Sequence, residues 1–212
     1  MLTRSARRLV LVTGPPAAGK TTLAGPLAAE LGFALLAKDK IKETLHDALD
    51  LDPDLAWSRR LGAATIELMW ALAADSPAAV LEANFWSDHP LNGERVRALG
   101  ARTVEVHCSC PIEECRRRYA ARAASRHPVH VLDRDAGLAA GAASSGGSTA
   151  APAAAVLAAA VPAAAVLTED PSADTFARSA RPLRLGPVVT VDTTSPVDVA
   201  AVVATVLELL AA

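Results

Sequence analysis

The chain has 212 residues, enough for one domain with a substantial buried core. Apolar residues make up 51% but aromatics only 3%, so that core has to be built from Leu, Val and Ala rather than rings. A formal charge of −2 with a pI near 6.2 excludes a global attraction to nucleic acid or to an anionic membrane; any polyanion contact must be local.

Taken in chain order, Leu9–Val12 is a short apolar run ending at Gly14, the pattern of a strand buried on both faces of a parallel sheet. It is too short for the core of a signal peptide, despite the basic residues before it. Lys20–Leu31 reads as a helix with Leu23, Leu27 and Leu31 four apart, a stop at Gly32, and a bend expected at Pro26. Phe33–Ala37 follows as a second strand and Asp39–Leu49 as a helix. Ser58–Ala74 is a longer helix, Ala78–Ala83 a third strand, Thr103–Cys108 a fourth, and Pro111–Ala124 a helix. Val188–Asp192 is the last strand and Val197–Leu210 the closing helix. Strands alternating with helices predict an α/β fold: a mostly parallel five-stranded sheet in a three-layer arrangement, with helices on both faces and right-handed crossovers.

From 136 to 182 this rhythm fails. The stretch is rich in Ala, Gly, Ser and Pro, and PAAAVL occurs at Pro152–Leu157 and again at Pro162–Leu167. Two copies are too few for a repeat architecture, so residues 1–135 and 183–212 are expected to form the domain around a flexible or loosely helical insertion. Although Ala136–Thr168 carries no charge, Ala is too weakly apolar to make it a spanning helix. Cys108, Cys110 and Cys115 form an odd, clustered set, which suits a reducing compartment better than a disulfide framework; a cytoplasmic location is the expectation.

The strongest chemical signal is Gly14-Pro15-Pro16-Ala17-Ala18-Gly19-Lys20-Thr21, which fits G-x-x-x-x-G-K-[ST] at every fixed position between a strand and a helix. Such a loop cradles the phosphates of ATP or GTP with backbone N–H groups at a helix N-terminus. Pro15 and Pro16 have no N–H, so donation is assigned to Ala17, Ala18, Gly19, Lys20, Thr21 and Thr22, with Gly14 supplying the turn. Lys20 is expected at the β/γ-phosphates and the Thr21 hydroxyl on Mg²⁺. Glu82, ending the third strand, is a candidate second oxygen near the metal or a strand-end acid paired with a base; Asn84 lies at the same edge.

Asp39 stands just past the second strand, where it can accept the proton of a substrate hydroxyl or cap the following helix. Arg116, Arg117, Arg118, Arg122 and Arg126 form the densest basic cluster. Arg118, Arg122 and Arg126 are four apart, as on one helical face, and suit a lid that neutralises the transferring phosphoryl group. His127 and His130 end that segment. His107 with the three cysteines lacks the paired spacing of a zinc site.

With Gly14–Thr21, Lys38-Asp39-x-Ile41-Lys42-Glu43, Glu82-x-Asn84-Phe85, the arginine helix running into Arg126-His127-Pro128, and Val191-Asp192-Thr193, the chain resembles the small AAA-type P-loop kinases. These are the grouping of zeta toxins, chloramphenicol phosphotransferases and polynucleotide-kinase-like proteins. The likeness covers about residues 8–135 and 183–210. It implies a P-loop NTPase fold, nucleotide and Mg²⁺ at Lys20 and Thr21, Asp39 as catalytic base, and Arg118, Arg122 or Arg126 in the lid. Pro26, Glu82 in place of an Asp, and the insertion depart from the pattern. The expected activity is Mg·ATP-dependent phosphorylation of a small-molecule hydroxyl. A nucleotide-dependent regulatory ATPase and a kinase of nucleic-acid ends are the alternatives, the acidic pI counting against the last.

Overall fold

The computed structural model describes residues 6–50, 55–130 and 175–212. Five strands, β1 (Arg8–Thr13), β2 (Ala34–Ala37), β3 (Ala78–Glu82), β4 (Arg102–Ser109) and β5 (Val188–Asp192), form one sheet in the order β2-β3-β1-β4-β5. Every pairing is parallel. The helices are α1 (Lys20–Leu31), α2 (Lys38–Leu49), α3 (Leu55–Asp75), α4 (Pro90–Leu99), α5 (Ile112–Ala121), the short α6 (Thr175–Ser179) and α7 (Val199–Ala211).

The apolar run Leu9–Val12 at the centre of β1 explains the layering. Successive strand residues point to opposite faces. Val10 and Val12 enter one core with Leu23 and Leu27 of α1 and Val206 of α7. Leu9 and Leu11 enter the other with Met69 and Trp70 of α3 and Val96 of α4. Each face of the central strand is therefore covered by helices, and a parallel sheet needs both covers. Because β3 and β4 flank β1 on opposite sides, the chain reverses direction across the sheet beyond the carboxyl end of β1. That crevice is where such folds bind ligands.

The expected strands and helices are present with shifts of one to three residues at their ends. α1 runs unbroken across Pro26, whose ring lies at the surface. α4 was not anticipated, although it carries both punctuation marks of a helix: Pro90 in its first turn and Gly100, at φ 55°, closing it.

The 136–182 stretch lies mostly outside the described residues, but its last part belongs to the packed body. Phe176 of α6 packs against the core of α1 and α7 and meets Tyr119 at 5.6 Å between ring centres. Ser179 is buried, and the Ala180 carbonyl accepts from His107 Nε2 at 3.1 Å. The returning chain is held by Glu105, a fully buried acid on β4 that forms no salt bridge among the described residues. Its carboxylate accepts from the backbone N–H of Leu183 and of Arg184, each at 2.8 Å, and from the Thr13 hydroxyl at 2.7 Å. Three donors offset the cost of burying that charge.

Candidate active site

The phosphate loop is shaped by three positive φ angles within six residues: Gly14 at 134°, Ala17 at 62° and Gly19 at 86°. At Gly14 the packing also demands glycine, since a Cβ there would lie 2.6 Å from the Cys108 carbonyl oxygen. The wall presented to the adjoining cleft consists of Pro16, Ala17, Gly19, Lys20, Thr21 and Thr22. One expected contact, that of the Ala18 N–H, is revised. Ala18 is fully buried and its N–H is taken by the Pro15 carbonyl at 3.1 Å, while Gly14 is buried behind the wall. Both act by setting the course of the backbone.

Lys20 is 6% exposed, with Nζ donating to the carbonyls of Gly14 at 3.0 Å and Pro15 at 2.8 Å and to Asn84 Oδ1. Burial lowers its pKa from the usual lysine value, and the nearby Glu82 carboxylate works against that shift. Glu82 is buried and moved the opposite way: desolvation raises its pKa and Lys20 opposes the rise. Its Oε2 accepts from the Thr21 hydroxyl at 3.4 Å. A hydroxyl and a carboxylate oxygen side by side beneath the phosphate loop match the all-oxygen preference of Mg²⁺, so the residues present fit that ion.

Across the cleft, Asp39 sits exposed in the first turn of α2. The N-cap position belongs to Ala37, which makes no side-chain cap bond, so Asp39 is free of the capping role. Its carboxylate lies at the positive end of α2 and in the field of Lys20.

The arginines divide. α5 ends at Ala121, and Arg122 leaves helical geometry before a 3₁₀ turn at Ala123–Ser125, so Arg118, Arg122 and Arg126 do not share one face. Arg122 and Arg126 line the cleft, as does Arg116. The Arg126 guanidinium stacks 4.1 Å over the Tyr119 ring, and its Nη1 is buried without a hydrogen-bond partner among the described residues. Arg118 faces elsewhere: Nε binds Glu114 at 2.7 Å, and the Nη atoms reach the carbonyls of Thr193 at 3.0 Å and Thr194 at 3.4 Å. It clamps α5 to the end of β5 and is absent from the cleft wall.

Two histidines fasten the segment after α5 to α2. His130 Nε2 lies 3.0 Å from Glu43 Oε1, and His127 Nε2 lies 2.9 Å from Asp47 Oδ1. Because Val129 N–H donates to His127 Nδ1 at 3.2 Å, the ring proton of neutral His127 is on Nε2 and donates to Asp47. His46, Asp47 and His127 lie close enough to hold a metal ion, but that tautomer makes the cluster a hydrogen-bonded latch.

The cleft enclosed by these walls is about 960 Å³, at the upper end for a ligand pocket and roomy enough for a nucleotide with a second small molecule. Sequence reading missed Arg59 on α3, Trp86 after β3, Tyr119 on α5, and Thr175 and Phe176 of α6, all of which line it. Arg59 and Trp86 carry no motif, and the α6 pair lies in a stretch whose composition hides it. The cysteines are buried core thiols; burial pushes Cys108 and Cys115 up to about 12. Among the described residues no helix is long and apolar enough to cross a membrane.

A family model described as an AAA domain matches residues 9–140. No curated protein matches the chain. Among solved structures, a protein of Chloroflexus aurantiacus provisionally described as a kinase is 30% identical, with 97% of this chain and 100% of that one covered and a TM-score of 0.68. The APS kinase CysC of Mycobacterium tuberculosis, solved with AMPPNP and APS, is 17% identical over 98% and 99% of the two chains, with a TM-score of 0.50. The second likeness is one of fold.

Proposed function

Taking as premise that the chain belongs to the small AAA-type P-loop kinases, we propose that it transfers the γ-phosphoryl group of ATP to a hydroxyl of a small molecule. The observation that carries this reading is the placement of a carboxylate, Asp39, on the same cleft as Lys20 and the Arg126 guanidinium, one nitrogen of which has no hydrogen-bond partner among the described residues. A nucleotide switch needs the P-loop alone. An exposed carboxylate facing the phosphate loop and a guanidinium opposite are the parts that phosphoryl transfer adds.

The acceptor oxygen attacks the γ-phosphorus, a new O–P bond forms, and the bond from that phosphorus to the β–γ bridging oxygen breaks to release ADP. Asp39 takes the acceptor's proton. Lys20 and Arg126 offset the negative charge on the transferred group, in a site where burial makes each charge count for more than in water. Thr21 and Glu82 would hold Mg²⁺, which when bound neutralises phosphate charge. The His127–Asp47 and His130–Glu43 contacts keep the arginine segment over the cleft and so limit water, the competing acceptor.

The test is ADP release measured against a panel of metabolites. One acceptor should raise turnover manyfold over the basal rate, and Asp39→Ala should abolish that rise while ATP affinity persists. Slow hydrolysis indifferent to every acceptor and to Asp39→Ala would sink the proposal in favour of a regulatory ATPase.

A further inference from the structure

A second, smaller pocket of about 90 Å³ opens off the main cleft between α3, α4 and the loop after β3. The two share Lys38, Arg59, Asn84 and Trp86, so these four residues form the passage between them. Asn84 is the residue that accepts from Lys20 Nζ, which sets this side pocket one side chain away from the lysine of the phosphate loop. Gly62, Ala63, Ile66, Phe85 and Leu91 give it mostly apolar or small walls.

The charges around this pocket are unevenly spent. Arg95, on its wall, is paired with Glu67 on the facing helix, whose only acidic side chain in the pocket is thereby neutralised. Arg178 is paired with Asp88 at 3.0 Å and stacks 3.7 Å over Trp86, closing the outer side of that ring. His89 is held neutral, its pKa lowered by burial and by Arg95 and Arg178. Among the described residues no carboxylate pairs with Arg59, which stands half-buried at the passage beside Lys38. A guanidinium kept partly out of water without a counter-ion is unfavourable unless an anion joins it during function.

We propose that the side pocket recognises the anionic group of the acceptor, making the substrate a small hydroxy compound that carries a carboxylate or phosphate, with Arg59 as its specificity residue. This rests on the kinase reading above. The anion would seat at Arg59, the carbon skeleton would lie against Trp86, and the hydroxyl would reach the main cleft by way of Asn84. There Asp39 accepts the proton as the oxygen takes the γ-phosphoryl group from ATP and ADP leaves. The pocket's size restricts the recognised end to a few non-hydrogen atoms, and the positive charge of Arg59 discriminates against ammonium-bearing alcohols.

The test uses the full chain with Mg·ATP and five probes: glycerate and glycerol 3-phosphate as anions, glycerol and glucose as neutral alcohols, glucosamine as a cation. ADP release should rise with at least one anion and with neither the neutral nor the cationic probes. Arg59→Gln should raise the KM for that anion at least about tenfold, the loss of one charge-assisted bidentate contact, with a far smaller change in the KM for ATP; Arg59→Lys should recover part of the loss. Glycerate against glycerol 3-phosphate decides between a carboxylate and a phosphate. Stimulation by a neutral or cationic probe, or a KM indifferent to Arg59→Gln, overturns this inference and leaves the kinase reading standing. ATP binding with no stimulation by any of the five overturns this inference, and the kinase reading falls with it only if the wider metabolite panel and Asp39→Ala also leave turnover unchanged.

Discussion

The two walls of the cleft are built by different means. The phosphate-loop wall is backbone: a buried turn fixed by Gly14 and Gly19, with Lys20 folded onto the loop's own carbonyls. The opposite wall is side chains on α2, α3 and the segment after α5, several of them exposed and joined by histidine–carboxylate contacts. One wall has a single arrangement specified by nearby residues. The other depends on where three separate elements meet, which makes it the wall able to adapt to a particular acceptor.

The largest break in that comparison is expected at Asp39. Asp39→Asn keeps the shape of its wall but removes the base, and acceptor-dependent turnover should fall by about 10³-fold with ATP affinity kept, within the usual range for general-base catalysis. Steady-state kinetics beside nucleotide titration would show it; equal losses in both would move Asp39 to nucleotide binding. Lys20→Ala should lower turnover by about 10²-fold and also weaken ATP, because this charge serves ground state and transition state alike.

Next comes rigidity. Gly14→Ala forces a side chain into a positive-φ position and against the Cys108 carbonyl, so unfolding should show a loss of about 2–3 kcal/mol. Arg126→Ala tests the adaptable wall and should cost turnover without comparable loss of stability, since no ion pair joins its guanidinium to a carboxylate among the described residues and its Nη1 has no hydrogen-bond partner there. Arg118→Ala, by contrast, should leave turnover within about threefold, as its contacts tie α5 to the end of β5 away from the cleft wall. Equal kinetic losses for the two arginines would erase the distinction.

The smallest effect is the pH dependence of stability. His89, His107 and His130 all have pKa values lowered from 6.5, each chiefly by burial. For such groups the stabilising contribution is complete above the unfolded value and is lost as pH falls through the folded one. Thermal midpoints should therefore decline below about pH 6.5, and His130→Gln should flatten the slope there. A midpoint that rises on acidification would mean these rings prefer charge in the folded state, with Glu43 or Glu105 outweighing burial.

The sequence by itself determined the parallel α/β architecture and the phosphate loop. Both rest on local rules: apolar runs long enough for a strand buried on both faces, a 3.6-residue period, and eight consecutive residues whose spacing is the site. Asp39 and Glu82 were legible for the same reason, since each ends or follows a strand whose carboxyl end faces the crevice. Only the tertiary structure decided how the arginines divide, because the break after Ala121 turns a regular four-residue spacing into two unrelated directions. It also decided that α6 returns from a composition that hid it, and that Arg59, Trp86 and Tyr119 meet across the cleft. Those residues come from α3, the loop after β3 and α5, which lie far apart along the chain and are brought to one cleft only by the fold, and no local pattern records such a meeting.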